Sequence, residues 1–130
     1  MMTKGQTLPP LTVTVSRQDL IRYAAASGDF NPIHYDSAAA EAAGLPGVVV
    51  HGMLNMAVLG RYLQIWTGSE YRVEEWGARF RSFVRPDRLV RIEGSVKSAV
   101  EDRLTISLYL TVVGESRPAL TAEAVLIRLG

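Results

Sequence analysis

From Met53 to Trp66 the chain reads Met-Leu-Asn-Met-Ala-Val-Leu-Gly-Arg-Tyr-Leu-Gln-Ile-Trp. The run is long enough for about four helical turns, and apolar residues occupy nearly every side of it. A helix that is apolar all round is usually buried on all sides. This segment is therefore expected at the centre of the fold, with the rest of the chain wrapped around it.

The C-terminal half has a different period. After Gly68 the residues alternate, and segments 71–84, 88–100, 103–113 and 119–128 each read as strands. Leu104, Ile106, Leu108, Leu110 and Val112 share one face of the third. Val90, Ile92, Val96 and Val100 do the same in the second. Pro86-Asp87, Glu101-Asp102 and Gly114-Glu115 are turn pairs between them. Strands joined by short turns predict an antiparallel meander. Ahead of the central helix, Leu11 to Val15 reads as a short strand. Ser16, with Asp19 three positions on, then caps a helix to about Ala26. Asp36 or Ser37 caps a second, alanine-rich helix, which Gly44 and Pro46 end. Helices first and strands second predict an α+β fold. No repeat or linker divides the chain, so one domain over residues 1–130 is expected.

Bulk properties exclude several functions. The chain has 130 residues, 48% hydrophobic and 21% charged, with a formal net charge of +1. No global field draws it to nucleic acid or to a membrane. There is no cysteine, hence no disulfide framework and no thiolate metal site, and two histidines, His34 and His51, make a poor metal centre. The stretch Met1–Pro10 is polar and turn-prone and lacks a signal-peptide pattern, and no apolar run is long enough to span a bilayer. A cytoplasmic protein is the expectation.

Residues 27–34 read Ser-Gly-Asp-Phe-Asn-Pro-Ile-His. Gly28 frees the backbone there, and Pro32 lacks an N–H and pushes Asn31 toward an extended shape. Asp29 and His34 thus sit on a shaped loop between helices, a place where sites collect. Alone, each has a plain structural reading: a turn cap for Asp29, a satisfied core imidazole for His34. Together they supply two groups for proton transfer, the carboxyl acting as a donor if it is lodged in an apolar pocket. No nucleophile accompanies them, since cysteine and a Gly-x-Ser-x-Gly elbow are both missing. His51-Gly52-Met53 opens the central helix. Gly52 is either a simple loop glycine or a first-turn N–H open to an approaching oxyanion. Arg72, Arg79, Arg81, Arg85, Arg88 and Arg91 read mainly as a solvated face, with a few of them free to meet phosphates. Trp66, Trp76, Phe80 and Phe83 read as core or interface.

The segment Tyr23-Ala-Ala-Ala-Ser-Gly-Asp-Phe-Asn-Pro-Ile-His-Tyr-Asp36 resembles the hydratase-2 motif of MaoC-like (R)-specific enoyl-thioester hydratases and dehydratases. Gly44 and His51-Gly52-Met53 extend the match in order, and no motif position departs from it. The resemblance is especially close, in length and layout, to catalytic subunits of (3R)-hydroxyacyl-carrier-protein dehydratases. It implies a single hot-dog fold, an antiparallel sheet wrapped around a long helix. It also implies Asp29 and His34 as the catalytic pair, Asn31 with Ser27 as supporting polar groups, and Gly52 as the oxyanion donor. His51 then backs the site. No metal or redox cofactor is implied. The substrate is a coenzyme A or acyl-carrier-protein thioester, and the partner is an identical or a different hot-dog subunit. A non-catalytic acyl-binding subunit and a hot-dog thioesterase are the alternative functions.

Overall fold

A computed structural model describes residues 2–130; Met1, the first residue of the turn-prone N-terminal stretch, lies outside them. Strand β1 (Thr7–Thr14) leads into α1 (Arg17–Ser27), a 3₁₀ turn at Pro32–His34 and α2 (Ser37–Ala42). The long helix α3 (Gly52–Thr67) comes next, then β2 (Tyr71–Phe80), β3 (Leu89–Val100), β4 (Arg103–Val112) and β5 (Leu120–Arg128).

The caps explain the first half. Ser16 Oγ accepts from the Asp19 N–H at 3.1 Å, and Asp19 Oδ2 accepts from the Ser16 N–H at 2.9 Å, a closed capping box at the start of α1. Those bonds from Ser16 hold the Asp19 carboxyl below its ordinary range. Gly28 ends α1 at φ +78°, a left-handed conformation natural to glycine, and its N–H donates to the Ala24 carbonyl at 2.9 Å. Asp36 Oδ1 accepts from the Ala38 N–H at 3.0 Å and starts α2.

All five strands form one antiparallel sheet in the order β1-β3-β4-β5-β2. Only β3-β4-β5 is a meander, which corrects the expectation for the four C-terminal strands. β2 pairs with β5 at one edge rather than with β3. The reason is the connection 81–88, which crosses the sheet instead of turning back. On its way Arg81 N–H donates to the Ala119 carbonyl, Val84 accepts from the Val50 N–H at 2.7 Å, and Asp87 N–H donates to the Val15 carbonyl at 2.7 Å. For the same reason β2 stops at Phe80, short of the expected residue 84. β1 is longer than expected, starting at Thr7 and carrying its two prolines past a register shift between Leu8 and Leu11.

The sheet wraps α3 on one side, in the hot-dog arrangement that the resemblance implies. Leu59, Tyr62 and Leu63 of α3 meet Ile92, Val96, Leu104, Ile106, Leu108, Leu110, Ala124 and Leu126 of the sheet, each at most 2% exposed. Val100 does not join Val90, Ile92 and Val96: it is 64% exposed. A bulge between Val96 and Ser98 adds one residue and turns the end of β3 onto the other face. Nor is α3 buried all round. Met53 and Ile65 are more than half exposed, so one side of the helix is open in the single chain.

Candidate active site

The loop after α1 is a chain of short side-chain turns. Ser27 Oγ donates to the Tyr23 carbonyl at 2.7 Å and accepts from the Asp29 N–H at 3.1 Å. Asp29 Oδ1 accepts from the Asn31 N–H at 3.2 Å, and Asn31 Oδ1 accepts from the Ile33 N–H at 3.3 Å. Ser27 and Asn31 therefore shape the loop rather than point at a reacting atom. Their bonding consumes one oxygen of Asp29 and leaves Oδ2 free.

That free oxygen faces His34. His34 Nε2 stands 3.9 Å from Asp29 Oδ2, too far for a direct hydrogen bond. The other ring nitrogen, Nδ1, lies 2.7 Å from the Val49 carbonyl. A carbonyl only accepts, so Nδ1 carries the hydrogen and Nε2 presents a lone pair toward Asp29. His34 is buried, whereas the Asp29 side chain is 49% exposed. The apolar pocket expected around Asp29 does not enclose it in the single chain.

His51 lies behind the pair. Its ring stacks on that of His34 with centroids 3.7 Å apart and planes 19° from parallel, and it meets the Tyr23 ring in an edge-to-face contact. The Nε2–H donates to the Asp29 backbone carbonyl at 3.2 Å. Burial pushes the His51 pKa down, partly opposed by that hydrogen bond. Asp29, His34 and His51 together offer three metal-ligating atoms within 4.8 Å of one another. Near-parallel stacked rings, however, cannot both aim an in-plane lone pair at one ion at about 2.0 Å, so the set as arranged does not fit a metal.

His34 lines a cleft of about 250 Å³ together with Val50, Gly52, Asn55 and residues 80–83. Gly52 is the first residue of α3, so its N–H has no acceptor one turn back. His51 occupies the cap position and makes no side-chain cap, which leaves that end of the helix open. Phe80, Arg81, Ser82 and Phe83 are exposed residues at the end of β2 and in the crossing connection, and they form the opposite wall. Arg81 is one of the arginines read as able to meet phosphates, and Phe80 and Phe83, read as core or interface, are exposed here; of this wall, Ser82 alone escaped the sequence reading, because period-two alternation carries the strand through it. Asn55 was missed too; it lies in a helix that looks wholly apolar, yet it is 6% exposed and borders the cleft. A buried polar residue one turn after Gly52 was the available signal. Of the arginines, Arg81 alone lines the cleft, while Arg91 pairs with Glu93 and Arg103 with Glu74 on the surface.

Two acceptors thus face each other beside a helix N–H that has no partner one turn back, an arrangement able to hold a water and to receive an anionic oxygen. Residues 2–116 match the MaoC like domain, and the chain belongs to that family. The chain is 30% identical over 105 residues to the fatty acid synthase beta subunit TOXC of Cochliobolus carbonum. It spans about 5% of that much longer protein. It is 40% identical over 58 residues to 3-hydroxyacyl-thioester dehydratase X of Mycobacterium tuberculosis, covering 43% of this chain and 21% of that one. Among solved structures, the (R)-hydratase from A. caviae involved in PHA biosynthesis superimposes with a TM-score of 0.88 at 26% identity, covering 98% of both chains. The ChsH1-ChsH2 complex from Mycobacterium tuberculosis shares the fold, at a TM-score of 0.90 and 22% identity, covering 99% of this chain and 100% of that one.

Proposed function

We propose that this chain is a hydro-lyase that adds water reversibly across a trans-2-enoyl thioester, giving the (R)-3-hydroxyacyl thioester in fatty acid metabolism. The carrying observation is the 3.9 Å gap between His34 Nε2 and Asp29 Oδ2, beside the cleft that Gly52 borders. One water bonded to both at about 2.8 Å would subtend roughly a right angle at its oxygen, a normal geometry. In hydration the C–O bond forms at the β-carbon as the pair takes a proton from the water. A proton returns to the α-carbon on the same face. The two groups act as one coupled unit, so neither proton role belongs to a single residue. Gly52 N–H receives the thioester oxygen as it becomes an enolate oxygen, helped by the positive end of α3. Water addition leaves the overall oxidation state unchanged, so a redox group has no part in this reading, and the substrate itself arrives as a coenzyme A or carrier-protein thioester. The (R) product is supported by the likeness to the A. caviae (R)-hydratase.

A second hot-dog subunit, identical or different, fits the open parts of the structure. β2 has a free edge with Val73 and Phe80 about half exposed, and Met53 and Phe83 stand exposed near the cleft. A partner there would cover Asp29 and close a tunnel for the acyl chain. Among the described residues no helix is long and apolar enough to cross a membrane, and a cytoplasmic site of action goes with the reading. The test is incubation with trans-2-enoyl coenzyme A thioesters of graded length, following loss of the conjugated thioester and the chirality of the product. Release of free thiol instead would favour a thioesterase, and no reaction alone or with a partner subunit would favour a passive acyl-binding subunit.

A further inference from the structure

We propose that His51 is a positioning residue for this reaction, holding Asp29 and His34 in mutual register and accommodating positive charge on His34 whenever the pair's shared proton rests there. The inference rests on the Asp29–His34 reading above and deepens it. Among the described residues, the His51 side chain engages both members of the pair. It donates to the Asp29 backbone carbonyl at 3.2 Å and lies flat on the His34 ring at 3.7 Å. Tyr23 packs edge-to-face with the same ring, with centroids 4.8 Å apart. The imidazole is 1% exposed and is not among the residues that wall the cleft. It therefore acts through His34 and Asp29 rather than on substrate.

The electrical state of the ring suits this task. The bond to a carbonyl fixes the hydrogen on Nε2, so Nδ1 holds a lone pair. That Nδ1 is buried and has no hydrogen-bond partner among the described residues. An unpaired buried nitrogen is unfavourable, and a phenyl ring of similar shape would avoid it. The imidazole is thus retained at some loss of stability. The groups that face it are the Tyr23 phenol ring, the Asp29 carboxylate and the His34 imidazole. Burial favours the neutral form of His51, and a neutral ring stacked on His34 lets positive charge rest on His34 whenever it holds the pair's shared proton. A second cation at the same spacing would oppose it.

The experiment is a double-mutant cycle on the intact protein, with kcat and KM measured separately on trans-2-enoyl coenzyme A. His51→Ala is expected to lower kcat about tenfold or more with KM within about threefold. His51→Phe, which restores the stacked ring, should recover a clear part of the loss. In a His34→Gln background, His51→Ala should cost less than about twofold further, because its effect passes through His34. Should His51→Ala fail to fold, the same cycle with His51→Gln, which keeps a donor and loses the ring, decides. An equal loss from His51 with and without His34, or an unchanged kcat, overturns the proposal while the parent reading stands. A fully active His34→Gln protein overturns the parent reading and this inference with it.

Discussion

Gly52 and Phe80 touch across the cleft: a Cβ added at Gly52 would stand 3.1 Å from Phe80 Cε1. The relationship repeats along the helix, where a Cβ at Gly60 would stand 3.1 Å from Trp76 Cη2. Eight residues of α3 rise about 12 Å, and four residues of β2 about 13 Å, so the two glycine–aromatic pairs keep step along antiparallel elements. The backbone of α3 comes close to β2 only because glycine stands at both points.

The methyl of Gly52→Ala would stand in the cleft and keep the thioester oxygen from the backbone N–H, which alanine retains, so turnover should fall by about 10²- to 10³-fold, the loss expected when one oxyanion donor is out of reach. Phe80 is half exposed at the end of a strand and can give by the few tenths of an ångström the methyl needs. Thermal unfolding should move far less than activity. Near-normal turnover in a folded Gly52→Ala protein would remove Gly52 from the oxyanion role.

Gly94→Ala should behave in the opposite way, destabilising the fold with little change in specific activity. Its added methyl would meet Tyr62, Leu108 and Leu8 at once, at 3.1, 3.2 and 3.2 Å. These are core side chains, and overpacking of that kind costs about 1–3 kcal/mol. The check is a melting curve beside a kinetic assay; an unchanged melting temperature would show that the core yields more easily than its packing suggests.

Tyr62→Phe removes a hydroxyl that donates to the Pro9 carbonyl at 2.8 Å and ties α3 to β1. Burial raises the Tyr62 pKa, keeping the phenol protonated as a donor at neutral pH. Loss of the bond should cost about 1 kcal/mol, read as a drop of a few degrees in melting temperature. Chemical denaturation gives the same quantity independently.

His51 makes stability depend on pH. Its folded pKa is depressed, mainly by burial. Above about pH 6.5 both folded and unfolded forms are neutral at this residue. As pH falls below that value the unfolded chain takes up a proton that the folded chain refuses, so stability falls with it. Melting temperatures measured from about pH 7.5 down to about pH 5.5 should decline less steeply for His51→Gln than for the wild type. Parallel curves would show that other groups carry the dependence.

Much of this was legible in the chain. The capping residues Ser16, Asp19 and Asp36 act locally, so their elements stand where expected. The loop from Ser27 to His34 was legible for the same reason, since its turns are made by neighbours two to four residues apart. What failed depends on distant parts of the fold. Nothing near residues 81–88 says that this segment crosses the sheet, because its anchors are Ala119, Val50 and Val15. The outward turn of Val100 comes from a bulge that alternation cannot reveal. The open side of α3 has its own cause: an apolar helix side that one chain leaves uncovered looks the same in sequence as one it buries.

The central claim is that Asp29 and His34 work on one water. It is tested most directly by turnover of a trans-2-enoyl coenzyme A thioester by Asp29→Asn and His34→Gln, each checked as folded by circular dichroism and melting. Both replacements nearly keep side-chain volume, so the loop should survive. The account predicts that each loses at least about a hundredfold in kcat, the scale of general acid–base groups. Activity within a few-fold of wild type in either folded variant would contradict it.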